Sequence, residues 1–398
     1  MRTSQAGAWL SRTNREAAGR GVVSLISPGG AHALDEATVV RDFRREDIAQ
    51  AVDLHNRVFG ANPAFSPATL GDYFNEVLFD NPWRDEALPS LMSLDGGGRI
   101  TGLLGVLPRP MEFRGRRLRA AVCTQLMVAP SHRGRLTAVR LIKAFFSGPQ
   151  DLSMGDGANE EARRLIVGLG GTAALPYSMH WIRPLRPARY VLSMLRKQPA
   201  LRPLAALAQP LGALADMAAA RMRQNRFAEP SADLEDGPLE SLTMLAHLPL
   251  MCQEASLRPI YDAHSLHWLL EQASTKSRYG KLRSRAVFTS RRGLIGWYLY
   301  YLQPGAISEV IQIAAIHGAF DGVLQQLFND AWRHGAVALR GRLDPAHLQE
   351  LSDRHCWFRR DGPWTLMHSR HPDVLDALHR GDAFLSRLDA EWWMRFHG

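Results

Sequence analysis

Cysteine is scarce: Cys123, Cys252 and Cys356 are the only three in 398 residues, and no Cys-x-x-Cys occurs. That excludes a disulfide framework and a zinc ribbon, and it suits a reducing, cytoplasmic compartment. The fifteen histidines form no His-Glu-x-x-His and no His/Cys ligand spacing, so no metal is expected. No Gly-x-Ser-x-Gly is present, which removes the usual serine-hydrolase elbow. No uninterrupted apolar run is long enough to cross a bilayer, and Gly21 to Ile26 is too short for a signal-peptide core. Acidic residues are in deficit, 39 against 48 Lys and Arg, giving a net charge of +9. The excess suits an anionic ligand or surface without choosing among CoA, nucleic acid and membrane. Otherwise the composition, 46% hydrophobic and 22% charged, is that of a globular chain long enough for two domains.

The informative stretch runs from Ala120 to Gly171. Ala121 to Val128 is apolar or β-prone and ends at Pro130, predicting a strand. A short basic loop follows, Ser131-His132-Arg133-Gly134-Arg135, then a predicted helix over Leu136 to Phe146 with Val139, Leu141, Ile142, Phe145 and Phe146 on its apolar faces. A strand feeding a basic, glycine-containing loop that opens a helix makes an anion site. The first helical turn has unpaired N–H groups, the dipole favours negative charge there, and arginine adds charge-assisted donors. Phosphate or pyrophosphate is the ligand such a loop suits. Asp151 to Gly157 reads as the next strand, and a helix stopped by Gly168-Leu169-Gly170-Gly171 follows.

Val128-Ala129-Pro130, then Arg133-Gly134-Arg135-Leu136-Thr137-Ala138, resembles the central motif of the GNAT superfamily of acyl-CoA-dependent N-acyltransferases. Asn159, Ala162, Leu165 and Gly170 fall at the spacing of that family's next motif. Two positions depart from it: Leu136 replaces the central glycine, and Ile166 replaces the tyrosine that commonly serves as general acid. The resemblance implies acetyl-CoA or another acyl-CoA as co-substrate and an amine as acceptor. It places the CoA on Met127, Val128, Arg133, Gly134, Arg135, Leu136, Thr137, Ala138 and Asn159. It also implies that the central strand parts from its neighbour near Met127-Val128, freeing backbone N–H groups for the thioester.

The side chains for proton transfer are less defined. The family's acidic position on the central strand holds Cys123, Thr124 and Gln125. Asp156 is the nearest carboxylate and the candidate base, with a turn role as the alternative. Tyr177, or His180, is the candidate acid in place of the missing tyrosine, with simple packing as the alternative. Asn159 also suits a helix cap.

Along the chain, residues 1–37 read as an unstructured leader or a targeting segment. Residues 38–187 read as an N-terminal GNAT acyltransferase domain, 188–240 as a basic helical linker, and 241–398 as a degenerate second GNAT-like domain. The repeat rests on Gly-turn hairpins ending in Ile100 to Leu107 and in Leu294 to Tyr301, and on Val310 to Ala315 echoing the central strand. The expected fold class is α+β, two domains each with a mostly antiparallel mixed sheet flanked by helices. The His180 region is expected to supply the last strands of the first sheet, and Trp364 to His368 to close the second. The loop Gly60 to Phe79 lines the acceptor side if the resemblance holds, or is a surface excursion whose aromatics pack onto the core, and Pro230 to Pro238 reads as an exposed connector. Trp268, Trp297, Tyr298, Tyr300 and Tyr301 are candidates to line an acceptor cleft between the halves, with core packing as the alternative, and Trp392-Trp393 a lid or tail anchor.

In the linker, Arg189, Arg196, Lys197, Arg202, Arg221, Arg223 and Arg226 face one acid, Asp216. A domain-bridging helix broken at Pro203 and Pro210 is one reading, and peripheral membrane contact through 188–226 is the other. Two further functional classes stay open at this point. One is a Fem-like transferase taking aminoacyl-tRNA, the only reading in which nucleic acid is a partner. The other is a non-catalytic protein that keeps the fold.

Overall fold

The computed structural model describes residues 39–60, 66–134, 136–196, 198–221, 234–391 and 394. The leader 1–37, Arg135, Lys197, Arg223, Arg226 and Trp392-Trp393 lie outside the described residues. The strands in chain order are β1 Val39–Asp42, β2 Leu91–Leu94, β3 Ile100–Phe113, β4 Arg116–Val128, β5 Leu152–Ala158, β6 Thr172–Ala173, β7 His180–Pro184, β8 Leu234–Pro238, β9 Leu257–Pro259, β10 Lys281–Thr289, β11 Leu294–Leu302, β12 Ile307–Ala315, β13 Ala338–Arg342, β14 Trp357–Arg359 and β15 Trp364–Ser369.

They form two mixed, mostly antiparallel sheets. The first is ordered β1-β2-β3-β4-β5-β15-β6, with β9 also on β3; the second is β14-β7-β13-β12-β11-β10-β8. Period-2 pattern and turn chemistry account for the hairpins. In the β2–β3 turn Asp95 Oδ1 accepts from the amides of Gly97 and Arg99, both at 3.0 Å. At the β3–β4 turn Arg114 and Gly115 both take positive φ, as a two-residue hairpin requires.

The halves exchange strands, contrary to the expectation. β7 pairs with β13 and β14 in the second sheet, and β15 pairs with β5 in the first. Ranges 38–187 and 241–398 thus each give a strand to the other's sheet. β7 is buried throughout, and a short strand with no exposed face carries no signal of which sheet receives it. Two loop assignments also change. Ser66 caps a helix over Pro67–Phe74, accepting from the Thr69 amide, and Leu234–Pro238 is an edge strand on β10, held by the Arg285–Asp236 ion pair.

The sheets share one apolar core. Leu107, Val122 and Met127 of the first sheet and Trp297, Leu299, Tyr301 and Ile311 of the second belong to a single buried cluster. Helices Thr137–Phe146 and Glu160–Gly168 cover the outer face of the first sheet through Leu141, Ile142, Phe145 and Ile166. Helix Phe320–Arg333 covers the second through Val323, Leu324 and Leu327. Alternation therefore sends Trp297 and Tyr301 inward between the sheets and Tyr298 and Tyr300 outward under that helix. All four are fully buried. They form core, not the cleft expected of them. Trp268 is half-buried and packs edge-on against Trp83.

Helix Ile48–Phe59 lays Ala51, Val52, Leu54, His55 and Val58 against the sheet. Burial pushes the His55 imidazole pKa down to about 4, against 6.5 in an unfolded chain. Between those values the unfolded state binds the proton that the folded state refuses. Stability is therefore complete above about pH 6.5 and falls as the pH drops towards 4, by roughly 3 kcal/mol in all. In His55→Leu, urea midpoints measured across that window should lose most of this slope.

The two halves repeat one device. Leu103 faces Met127 and Gly105 faces Thr124, so Leu104 opposes both Gln125 and Leu126: a β-bulge, with Gln125 at φ 50. β4 then runs parallel to β5 for three rungs only, Ala120–Leu152, Ala121–Ser153 and Val122–Met154. In the second sheet Leu299 faces Gln312 and Tyr300 faces Val310, leaving Ile311 as the extra residue. β12 likewise meets β13 for three parallel rungs, ending at Glu309–Arg340. A glycine lets the following helix approach in each half. A Cβ on Gly102 would lie 2.8 Å from Thr137 Cγ2, and one on Gly296 2.7 Å from Val323 Cγ2.

Candidate functional site

Where a parallel ladder stops but both strands continue, a wedge opens between them. In the first sheet this begins at Cys123 and Gly155, several residues earlier than Met127-Val128, because the bulge turns β4 away. A non-glycine residue in left-handed conformation costs on the order of 1 kcal/mol or more. Gln125 is held in it by burial and by donating to the Tyr73 hydroxyl at 3.2 Å. Continuing the register Ala120–Leu152, Val122–Met154 sets Thr124 opposite Asp156 across the wedge, on the face towards the shared core. The Thr124 hydroxyl oxygen is buried with no hydrogen-bond partner among the described residues.

The wedge leads to the basic loop. After β4 a single turn, Pro130–His132, precedes Arg133, and Gly134 takes φ 82, a conformation that favours glycine. Helix Thr137–Phe146 then starts with no side-chain cap, since its N-cap residue is Leu136. Its first-turn amides and dipole are thus open to an anion. Arg133 is half-buried and makes no ion pair among the described residues. Met127, Val128, Thr137 and Ala138 are buried, so Met127 and Val128 offer a ligand their backbone. Leu136, at the departing glycine position, is 55% exposed. Asn159 caps the next helix, its Oδ1 accepting from the Ala162 amide at 2.8 Å.

The two proton-transfer candidates hold other positions. Asp156 lies at the wedge, but Arg342 Nη2 donates to its Oδ2 at 2.6 Å and the Glu391 amide to its Oδ1 at 2.9 Å. Both side chains of the ion pair are nearly inaccessible. Tyr177 donates to the Ala383 carbonyl at 2.8 Å and accepts from the Ala383 amide at 3.0 Å. Burial, with Asp344 adding to it, drives its phenol well above the ordinary tyrosine range. Tyr177 therefore tethers the C-terminal segment rather than serving as a free acid. Tyr177→Phe leaves both Ala383 groups buried and unpaired. It should cost about 1–3 kcal/mol by urea denaturation without altering ligand affinity at the loop. His180, on β7 in the second sheet, pairs its Nε2 with Asp361 Oδ1 at 2.7 Å.

The equivalent wedge in the second half is filled by the chain itself. Ser386 Oγ accepts from Gln312 Nε2 at 2.9 Å, and Arg387 pairs with Glu309 at 2.6 Å. Burial raises the Glu309 carboxyl, but Arg340 and Arg387 outweigh it and keep its pKa below the usual range. The loop there is His317-Gly318-Ala319, without arginine. A cavity of about 870 Å³ near Trp83, Arg109 and Tyr261 lies at the closed end of the β4–β5 ladder. None of its lining belongs to the wedge or the loop, so size does not make it the site.

Sequence reasoning singled out the loop and Asn159, noted Thr124 and Gln125 only as the strand position that lacks an acid, and did not reach Arg342. Only the bulge gives Gln125 its role, and Arg342 arrives from the other half of the chain.

Residues 39–150 match the family model for the acetyltransferase (GNAT) domain. No curated protein matches the chain. Among solved structures, it is similar to a protein of Enterococcus faecalis described as a probable N-acyltransferase: TM-score 0.56, 11% identity, 84% of this chain and 73% of that one. It is also similar to GCN5-related N-acetyltransferases from Kribbella flavida (TM-score 0.52, 12% identity, 85% of this chain and 72% of that one) and Anabaena variabilis (TM-score 0.52, 13% identity, 84% and 73%). At such identities the likeness is one of fold, and it extends beyond the matched segment into the second sheet. Residues 39–150 thus match the GNAT acetyltransferase domain model, and most of the chain shares its fold with solved structures described as GCN5-related N-acetyltransferases and a probable N-acyltransferase.

Proposed function

We propose that this protein transfers an acyl group from an acyl-CoA thioester to an amine, with the donor in the β4–β5 wedge of the first half. The observation that carries this is the continuity of two complementary features. An uncapped, arginine-flanked helix start suits the pyrophosphate, and the opened ladder beside it offers backbone groups to the amide-bearing arm. The acyl carbonyl would lie near the Gln125 bulge, where backbone donors released by the parted ladder can meet the developing oxyanion. The amine nitrogen attacks the carbonyl carbon, the C–S bond breaks, and the thiolate leaves. The proton shed by nitrogen passes to water, and the thiolate takes one from solvent.

In this reading Asp156 and Tyr177 position chain segments, and no side-chain base is required. The buried Thr124 hydroxyl, on the core-side face of the wedge, is in this reading a polar group that the acceptor can meet. The second half supplies structure, its own wedge being closed by Ser386 and Arg387.

Release of free CoA thiol from acetyl-CoA and a long-chain acyl-CoA, measured with and without a broad panel of primary amines, tests this. Amine-dependent release is expected with at least one donor. Release that never depends on the amine removes the transferase reading.

A further inference from the structure

The helices that follow β7 are built the wrong way round for a soluble surface. Pro187–Leu195, Arg202–Leu207 and Gln209–Arg221 pack together through small residues: Ala205 is 2% exposed, and a Cβ on Gly212 would lie 2.6 Å from Leu192 Cδ1. Tyr190 is buried, but a set of large apolar residues faces outward. Leu204 is 64% exposed, Leu207 78%, Leu211 68%, Leu214 59% and Met217 46%, with Val191 at 54% on the neighbouring helix. The spacing of three, four, three and three residues sets Leu204 to Met217 along one side. A contiguous apolar surface of this kind marks a contact, because scattered leucines would not keep helical register.

The charge around the stripe selects the occupant. From Arg186 to Arg226 the chain has eight Lys or Arg and one acid, Asp216. That acid is spent: its carboxylate accepts from the Ala188 and Arg189 amides at 2.9 and 3.2 Å. Arg196 and Arg202 are exposed beside the stripe. A symmetric contact with a second copy would bring these cations towards their own counterparts with no acid to meet them. No helix among the described residues is long and apolar enough to cross a membrane. Exposed leucines flanked by arginines suit the interface of a bilayer carrying anionic headgroups, the apolar side sinking below the headgroups and the arginines staying among them.

We infer that the outward face of residues 191–217 is a docking surface for an anionic lipid bilayer. It lies on helices outside the acyl-CoA wedge, and its test uses no CoA, so the two readings fail separately. The full chain is sedimented with vesicles of phosphatidylcholine alone and of equal parts phosphatidylcholine and phosphatidylglycerol, at low and high salt. Binding to the anionic vesicles is expected, weakening with salt and falling at least about tenfold in Leu207→Gln/Leu211→Gln. Arg196→Glu/Arg202→Glu should lower anionic-vesicle binding by roughly fivefold or more per position. All four positions are exposed, so both variants keep the fold, as circular dichroism will show. Failure to bind anionic vesicles at low salt, or equal binding by either variant, overturns the inference. So does a dimer in light scattering that the leucine substitutions dissolve while vesicle binding is absent.

Discussion

Arg342→Ala should be the most destabilising single polar substitution in the molecule. It removes the guanidinium from a nearly inaccessible ion pair and strands the Asp156 carboxylate between the two halves. Breaking such a pair from one side typically costs about 3–5 kcal/mol, because the remaining charge has neither water nor partner. The effect should reach beyond β13, since Asp156 also holds the Glu391 amide and so the end of the C-terminal segment. Adding Asp156→Asn to Arg342→Ala should recover a large part of the loss. The amide oxygen can still accept from Glu391, and the stranded charge is gone. Urea unfolding of the three variants reads this directly. An Arg342→Ala protein within about 1 kcal/mol of the parent would mean that the pair does not join the halves as described.

Gly134→Val should have the largest effect on ligand binding. Gly134 takes φ 82, which a β-branched residue adopts only under strain. The strain is worth on the order of 1–3 kcal/mol, and the loop relieves it by moving. That redirects Arg133 and the first amides of helix Thr137–Phe146, whose aim is all the loop offers an anion. Acyl-CoA affinity should fall by tenfold or more. Gly60→Val is the control: Gly60 takes φ 85 at the end of helix Ile48–Phe59, with open space around it and no part in the wedge. It should lose comparable stability and retain affinity. Equal affinity in both variants would separate the loop from binding.

What the sequence made legible here was local. Val128 to Ala138 combined a strand end, a glycine, arginines and a helix start within one short window, so spacing alone exposed it. The hairpins at Asp95 and Arg114-Gly115 were legible for the same reason, their turn chemistry being contiguous. The strand exchange was not. β7 and β15 are short, five and six residues, with no clean alternation, and each fits either sheet by pattern; only long-range pairing decides. The same holds for Asp156, whose neighbours in sequence suggest a turn but whose partners are Arg342 and Glu391. The aromatic run Trp297 to Tyr301 shows the converse failure. Aromatic bulk beside the second half suggested a cleft and alternation a core; core it is, and every hydroxyl and indole has a partner: Gln312, Asp236, Asp330 and Ala273. Polar tips satisfied inside a core belong to packing, not to a ligand. Helices Arg202–Leu207 and Gln209–Arg221 lie between these cases. Their composition was plain, but the direction in which their leucines point required the packing of Gly212 on Leu192.

The most direct test of the central claim is a calorimetric titration of the full chain with CoA, acetyl-CoA and a long-chain acyl-CoA, repeated on Arg133→Ala and Gly134→Val. If the loop and the wedge hold the donor, all three ligands bind, ligand raises the melting temperature by mass action, and both variants weaken binding while remaining folded. Absence of binding by every CoA species, or binding untouched by both substitutions, would contradict the assignment of the donor to the β4–β5 wedge.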